Sequence, residues 1–110
     1  AGAFPVWLAP TQVKILTIND EVVPYAKEIF KALQERGIRA EIDDRAESIG
    51  YKIREANGKY KVPVQLILGK NEVENKGVNI RRFGSKDQFT KPLDEFYNYV
   101  VDEATIKFDK

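Results

Sequence analysis

Residues 63 to 68 read Pro63-Val64-Gln65-Leu66-Ile67-Leu68, almost unbroken by polar side chains, and Gly69 closes the run. A strand apolar on both faces needs cover above and below, which places it inside a helix-covered sheet. Gln12 to Ile18 repeats the pattern, with Val13, Ile15 and Thr17 alternating against Lys14, Leu16 and Ile18. Between these runs the period changes from two to 3.6. From Glu21 to Arg36, Val22, Ala26, Ile29, Phe30 and Leu33 recur at helical spacing, while Lys27, Glu28, Lys31 and Glu35 face away. Asn19-Asp20 supplies the N-cap of this helix, Pro24 falls early enough to be tolerated, and Gly37 suits the C-terminal cap.

Ile38 to Ile42 reads as a short strand, and Asp43-Asp44 can cap a second helix, Ser48 to Ala56, with Ile49, Ile53 and Ala56 as its apolar stripe. Gly50 inside it costs about 1 kcal/mol relative to Ala and so marks close backbone packing. Gly58 ends the helix. After Gly69 the period is two again. Glu72 to Glu74 and Asn79 to Arg81 are expected to pair as a hairpin around Asn75-Lys76-Gly77, with Val73 and Ile80 on one side and a wholly polar opposite face. Lys86-Asp87 reads as a turn, and a last helix from about Lys91 carries Leu93, Phe96, Tyr97, Val100 and Ala104.

The predicted fold is α/β: a mixed sheet of about five strands flanked by three helices, with right-handed crossovers. Its 110 residues suffice for one domain. We divide the chain into a lead-in segment, 1–10, whose Pro5 and Pro10 impose extended backbone, a folded domain, 11–104, and a tail, 105–110. The absence of Met and the start at Ala1-Gly2-Ala3 fit a piece cut from a longer polypeptide, or a chain whose initiator Met has been removed.

The residues that are missing narrow the chemistry. With no Cys and no His, disulfides, thiol nucleophiles, Cys/His zinc sites and His-based triads are excluded within this sequence. Ser48 and Ser85 are the two serines, and neither lies in a nucleophile elbow. We expect no catalytic residue, metal ligand or cofactor site here. Lys and Arg total 18 against 17 Asp and Glu, so any grip on a polyanion must be local. No window has the roughly 20 apolar residues of a membrane span, and no signal peptide is recognisable; the expected location is the cytoplasm.

Three groups of residues could carry a function. On the expected hairpin face, a carboxylate (Glu72) beside an arginine (Arg81) suits a splayed-out base, accepting from guanine N–H groups and donating to carbonyl oxygens. The plain alternative is a solvated Glu72–Arg81 ion pair worth about 0.2 to 1 kcal/mol. Asp43-Asp44-Arg45 through Lys52 and Arg54 lies where α/β folds place ligands, beyond strand C-termini. Basic residues Lys52, Arg54, Lys59, Lys61, Lys76, Arg81, Arg82 and Lys86 interleave with Tyr51, Tyr60 and Phe83, which could stack on bases, although Glu55, Glu72 and Glu74 offset much of the charge.

The blocks Phe4-Pro5-Val6-Trp7-Leu8-Ala9-Pro10-Thr11-Gln12-Val13, Gly37-Ile38-Arg39-Ala40-Glu41-Ile42-Asp43 and Ile49-Gly50-Tyr51-Lys52-Ile53-Arg54-Glu55-Ala56 closely resemble the C-terminal anticodon-binding domain of threonyl-tRNA synthetases. Glu72-Val73-Glu74-Asn75, Val78-Asn79-Ile80-Arg81-Arg82 and Leu93-Asp94-Glu95-Phe96 continue the resemblance, which spans about residues 2 to 104. It implies a module that recognises the anticodon of threonine tRNA for ATP-dependent threonylation by the full-length ligase. It also implies that ATP, magnesium and zinc belong to a catalytic domain of the same polypeptide, that this piece is monomeric, and that the full enzyme is a homodimer. The family's anticodon contacts carry over onto Arg54, Glu72 and Arg81, with Arg45, Lys52, Asn79 and Arg82 as further candidate tRNA contacts. There is one departure: where the family commonly has Arg-Asn-Glu-Lys, this chain has Arg45-Ala46-Glu47-Ser48, so the Asn contact is lost or supplied elsewhere, with Asn79 a candidate. Competing readings are a small-molecule-binding or phosphoacceptor domain using Asp43 and Asp44, and a protein-interaction module.

Overall fold

A computed structural model describes residues 11–45, 47–58, 62–83 and 88–104. The lead-in segment, Ala46, Lys59, Tyr60, Lys61, the Lys86-Asp87 turn and the tail lie outside the described residues. The elements are β1 (Val13–Thr17), α1 (Val23–Glu35), β2 (Ala40–Asp43), α2 (Ile49–Gly58), β3 (Val64–Leu68), α3 (Lys70–Asn75), β4 (Gly77–Arg82), β5 (Gln88–Pro92) and α4 (Leu93–Ala104). The strands form one mixed sheet in the order β2-β1-β3-β4-β5. β1 runs parallel to β2 and β3, and β4 is antiparallel to both β3 and β5. The fold is thus α/β with five strands, as expected, but with four helices.

Because the crossovers from β1 to β2 and from β2 to β3 run in opposite directions, a common right-handedness puts α1 and α2 on opposite faces. Packing agrees. Ala26, Ile29 and Leu33 of α1 and Phe96 and Val100 of α4 share one core with Val13, Ile15, Val64, Leu66, Val78 and Ile80. Leu16, Ile67 and Ala56 are also buried but outside that cluster, on the side that α2 covers. α1 is preceded by a 3-10 turn, Asp20–Val22, whose Asn19 side chain accepts from the Glu21 N–H at 3.0 Å. At its other end Gly37 takes φ +77°, a left-handed conformation that glycine adopts without the steric penalty of a Cβ.

Three expectations are corrected. Residues 72–74 do not pair with 79–81 as a hairpin: Lys70–Asn75 is a helix, and the hairpin is β4 with β5. Val73 is therefore exposed while Ile80 is fully buried, and Glu72 and Arg81 are not cross-strand neighbours. Three residues of alternation are too few to distinguish strand from helix. Local capping favours helix, because Glu72 Oε1 accepts from the Gly69 N–H at 2.7 Å, and Lys76 in the left-handed region (φ 51°) stops the helix. Secondly, α2 is capped by Ser48, whose Oγ accepts from the Tyr51 N–H at 3.2 Å, in place of the expected Asp43-Asp44, and its Gly50 marks no close packing, since a Cβ there would meet nothing within 4 Å.

Candidate nucleic-acid interface

Side chains alternate across a strand, and register then decides which meet. Gln65 lies opposite Arg81, and Arg81 opposite Gln88, while Asn79 lies between Ile67 and Thr90. These residues share the sheet face that α2 covers over β1 and β3. Over β4 and β5 no helix among the described residues covers that face. The result is a polar half-sheet: Asn79 and Arg81 are half-buried, Gln88 and Thr90 exposed, and Asn79 Nδ2 donates to Gln88 Oε1 at 2.9 Å. Arg81 Nε is buried and has no hydrogen-bond partner.

Glu72 borders the same surface from a different element. With Asn75, Gly77, Val78, Thr90, Lys91 and Pro92 it lines a cavity of about 240 Å³, and Thr90 is the register partner of Asn79. One carboxylate oxygen of Glu72 holds the start of α3, as described. The depression can form because Gly77 lies flat against β5: a Cβ there would sit 2.9 Å from the Lys91 carbonyl oxygen. Tyr25 fixes this end of the sheet to α1 by donating to the Gly77 carbonyl at 2.8 Å, and burial pushes its phenol up to about 12, so it stays a donor at any physiological pH.

The remaining candidates fall elsewhere. Arg54 is exposed on α2 and forms no ion pair among the described residues. Arg45 bridges α2 to the end of β2, pairing with Asp43 Oδ2 at 2.7 Å and with Glu55. Lys52 is 2 % exposed, and its ammonium donates to the Thr17 carbonyl at 2.7 Å. The Thr17 hydroxyl in turn donates to the Asp43 carbonyl at 3.3 Å, so Lys52 and Thr17 join α2 to the C-terminal ends of β1 and β2. Arg82 faces the opposite side of the sheet, where it meets Tyr99 and pairs with Glu103 of α4 at 2.9 Å. Of the seven sequence candidates, Asn79 and Arg81 share one sheet face, and Glu72 lines the cavity beside Thr90, the register partner of Asn79. Sequence reasoning missed Gln65, Gln88 and Thr90, because the strand that supplies two of them was not expected.

Asp43, a candidate phosphoacceptor, is buried and tied to Arg45 through two side-chain bonds of 2.8 and 2.7 Å. Those bonds, foremost, hold its carboxyl below the ordinary value of 3.8. A carboxyl lowered in the folded state contributes stability that is complete above its unfolded value and lost as pH falls through the folded one. Urea midpoints measured from about pH 6 to pH 2 should therefore fall through the acid limb, and fall less in Arg45→Met. An equally steep acid limb in that variant would contradict the assignment.

The family model described as "Anticodon binding domain" matches residues 12–103. A threonine–tRNA ligase of Fusobacterium nucleatum subsp. nucleatum is 81% identical over 110 residues, which is 100% of this chain and 18% of that protein. One from Staphylococcus carnosus is 51% identical over 107 residues, covering 96% of this chain and 16% of that protein. The chain thus spans less than a fifth of either relative. Among solved structures, the RNA binding domain of threonyl-tRNA synthetase from Cryptosporidium parvum Iowa II superposes with a TM-score of 0.87 and 31% identity, over 93% of this chain and 26% of that one. Prolyl-tRNA synthetase from Cryptosporidium parvum, at 23% identity and a TM-score of 0.74 over 93% of this chain and 24% of that one, shares the fold.

Proposed function

The chain belongs to the anticodon binding domain family, and on that premise we propose that it is the anticodon-reading module of a threonine–tRNA ligase, with Arg81, Glu72 and Arg54 as base contacts and Asn79 beside them. The observation that carries this reading is the uncovered polar half of the sheet, where an arginine with a buried stem and a carboxylate border one surface. Threonine anticodons share G then U at their last two positions. A carboxylate accepts from the guanine N1–H and N2–H groups, and a guanidinium donates to the carbonyl oxygens of guanine or uracil. Unpaired bases splayed onto a sheet expose those edges.

Activation of threonine with ATP and its transfer to tRNA belong, on this reading, to a catalytic domain of the same polypeptide, with magnesium and a zinc ion. The zinc is what the family resemblance implies for that domain; this sequence, with neither Cys nor His, offers no such ligand for it. The full enzyme is a cytoplasmic homodimer and this domain alone a monomer without catalytic activity. No described helix is long and apolar enough to cross a membrane. The phosphoacceptor alternative is weakened by the commitment of Asp43 to Arg45.

Titrating the chain with an anticodon stem-loop carrying the GU pair tests the proposal. Binding is expected at low salt, weaker for loops with either base replaced, and declining with a shallow salt slope of about two to four released counterions, at about 0.7 per phosphate contact. Equal affinity for all loops would refute base reading. A slope as steep as that of strongly basic RNA-binding proteins would show a much larger phosphate footprint than this charge balance allows.

A further inference from the structure

We propose that Gln65 is a positioning residue for Arg81, holding its guanidinium in the orientation that reads a base; the inference rests on Arg81 being a base contact. Gln65 stands in the middle of an otherwise aliphatic strand, Val64-Gln65-Leu66-Ile67-Leu68, and is 0% exposed. Burying an amide in such a place is costly unless its polar atoms are used, so packing alone does not explain a glutamine there. Its Nε2 donates to the Val62 carbonyl at 3.2 Å. That bond fixes which end of the amide is the donor and turns the oxygen end away from Val62.

Across the sheet, Gln65 is the direct register partner of Arg81, so their side chains leave the same face about 5 Å apart at Cβ. Arg81 Nε is the guanidinium N–H nearest the backbone, and it is buried without a hydrogen-bond partner. A buried amide oxygen has two lone pairs and accepts from more than one donor. The other cross-strand neighbour, Gln88, is a poorer acceptor for this N–H, because it is solvent-exposed and its oxygen already takes the Asn79 amide. A side-chain rotation that brings Arg81 Nε–H onto the Gln65 oxygen satisfies the buried donor. It leaves the two terminal nitrogens, four N–H groups in a fixed plane, directed outward for a bidentate contact. An arginine without that anchor keeps its charge but loses its preset direction, and so loses discrimination more than attraction.

The test uses this chain and the variants Gln65→Met, which keeps the volume and removes the acceptor, and Gln65→Glu, which restores one. The direct readout is the ¹⁵N–¹H signal of Arg81 Nε. It should be resolved and slow to exchange with water in the parent and in Gln65→Glu, and collapse toward free-arginine behaviour in Gln65→Met. A signal unchanged by Gln65→Met, or already in fast exchange in the parent, overturns the proposal. With anticodon stem-loops carrying or lacking the GU pair, Arg81→Ala should cut discrimination about tenfold and Gln65→Met about fivefold, the double variant being no worse than Arg81→Ala. If Arg81→Ala leaves discrimination intact, the base-reading site is misplaced. If Arg81→Ala relaxes it and Gln65→Met does not, Gln65 has no positioning role.

Discussion

Replacing Lys52 by alanine should destabilise the domain by about 3 kcal/mol or more, the largest stability loss expected of any charged residue in the described structure. Lysine is rarely buried to this degree, and here its ammonium serves the Thr17 carbonyl at the end of β1, with the Asp43 carboxylate nearby. Truncation removes the donor, strands a buried carbonyl and leaves the space of four methylenes between α2 and the sheet. Lys52→Met separates these contributions. It keeps the stem and loses the charge, so it should cost about 1 to 2 kcal/mol. Urea denaturation of both variants measures this, and hydrogen exchange should show α2 opening first, since Lys52, Ala56 and the Arg45 bridge are what bind it to the sheet. Unchanged urea midpoints in Lys52→Ala would mean that the ammonium is solvated in solution and that α2 docks by its aliphatic stripe alone.

The same residue shows where a sequence can and cannot be read. Ile49, Ile53 and Ala56 mark the inward face of α2, and the position completing that helical stripe is 52. The signal is present, but lysine is ordinarily counted as a solvent residue, so residue type alone makes Lys52 a candidate tRNA contact. Strands β1 and β3 and helix α1 were legible because burial demands long, consistent apolar patterns there. α3 and β5 were not, for opposite reasons. Glu72, Glu74 and Asn75 disguise a six-residue helix held by its caps. Gln88-Phe89-Thr90-Lys91-Pro92 is an edge strand, where Pro92 is tolerated because that position does not require a ladder donor. With β5 unread, the polar half-sheet could not be assembled, although Arg81, Asn79 and Glu72 had each been singled out. Their grouping depends on register, which residue types alone do not reveal.

The dual position of Glu72 leads to the second large effect. One of its oxygens caps α3 at Gly69 and the carboxylate also lines the cavity beside Thr90, so a single substitution can disturb helix and site together. Two substitutions separate the roles. Glu72→Gln keeps an amide oxygen for the Gly69 N–H, so stability should change by less than about 0.5 kcal/mol. It puts a donor where guanine also offers donors, which should cost about 1 to 3 kcal/mol of discrimination, roughly fivefold to 150-fold, against loops in which that base is replaced. Glu72→Ala should lose the same discrimination and in addition about 1 kcal/mol of stability, the ordinary worth of a helix cap. Parallel urea melts and stem-loop titrations of the two variants are decisive, because a cap-only role predicts that Ala alone shows a defect. If Glu72→Gln binds every loop as the parent does, the carboxylate serves α3 and not the RNA, and guanine must be read from Arg54 or the Arg81 row.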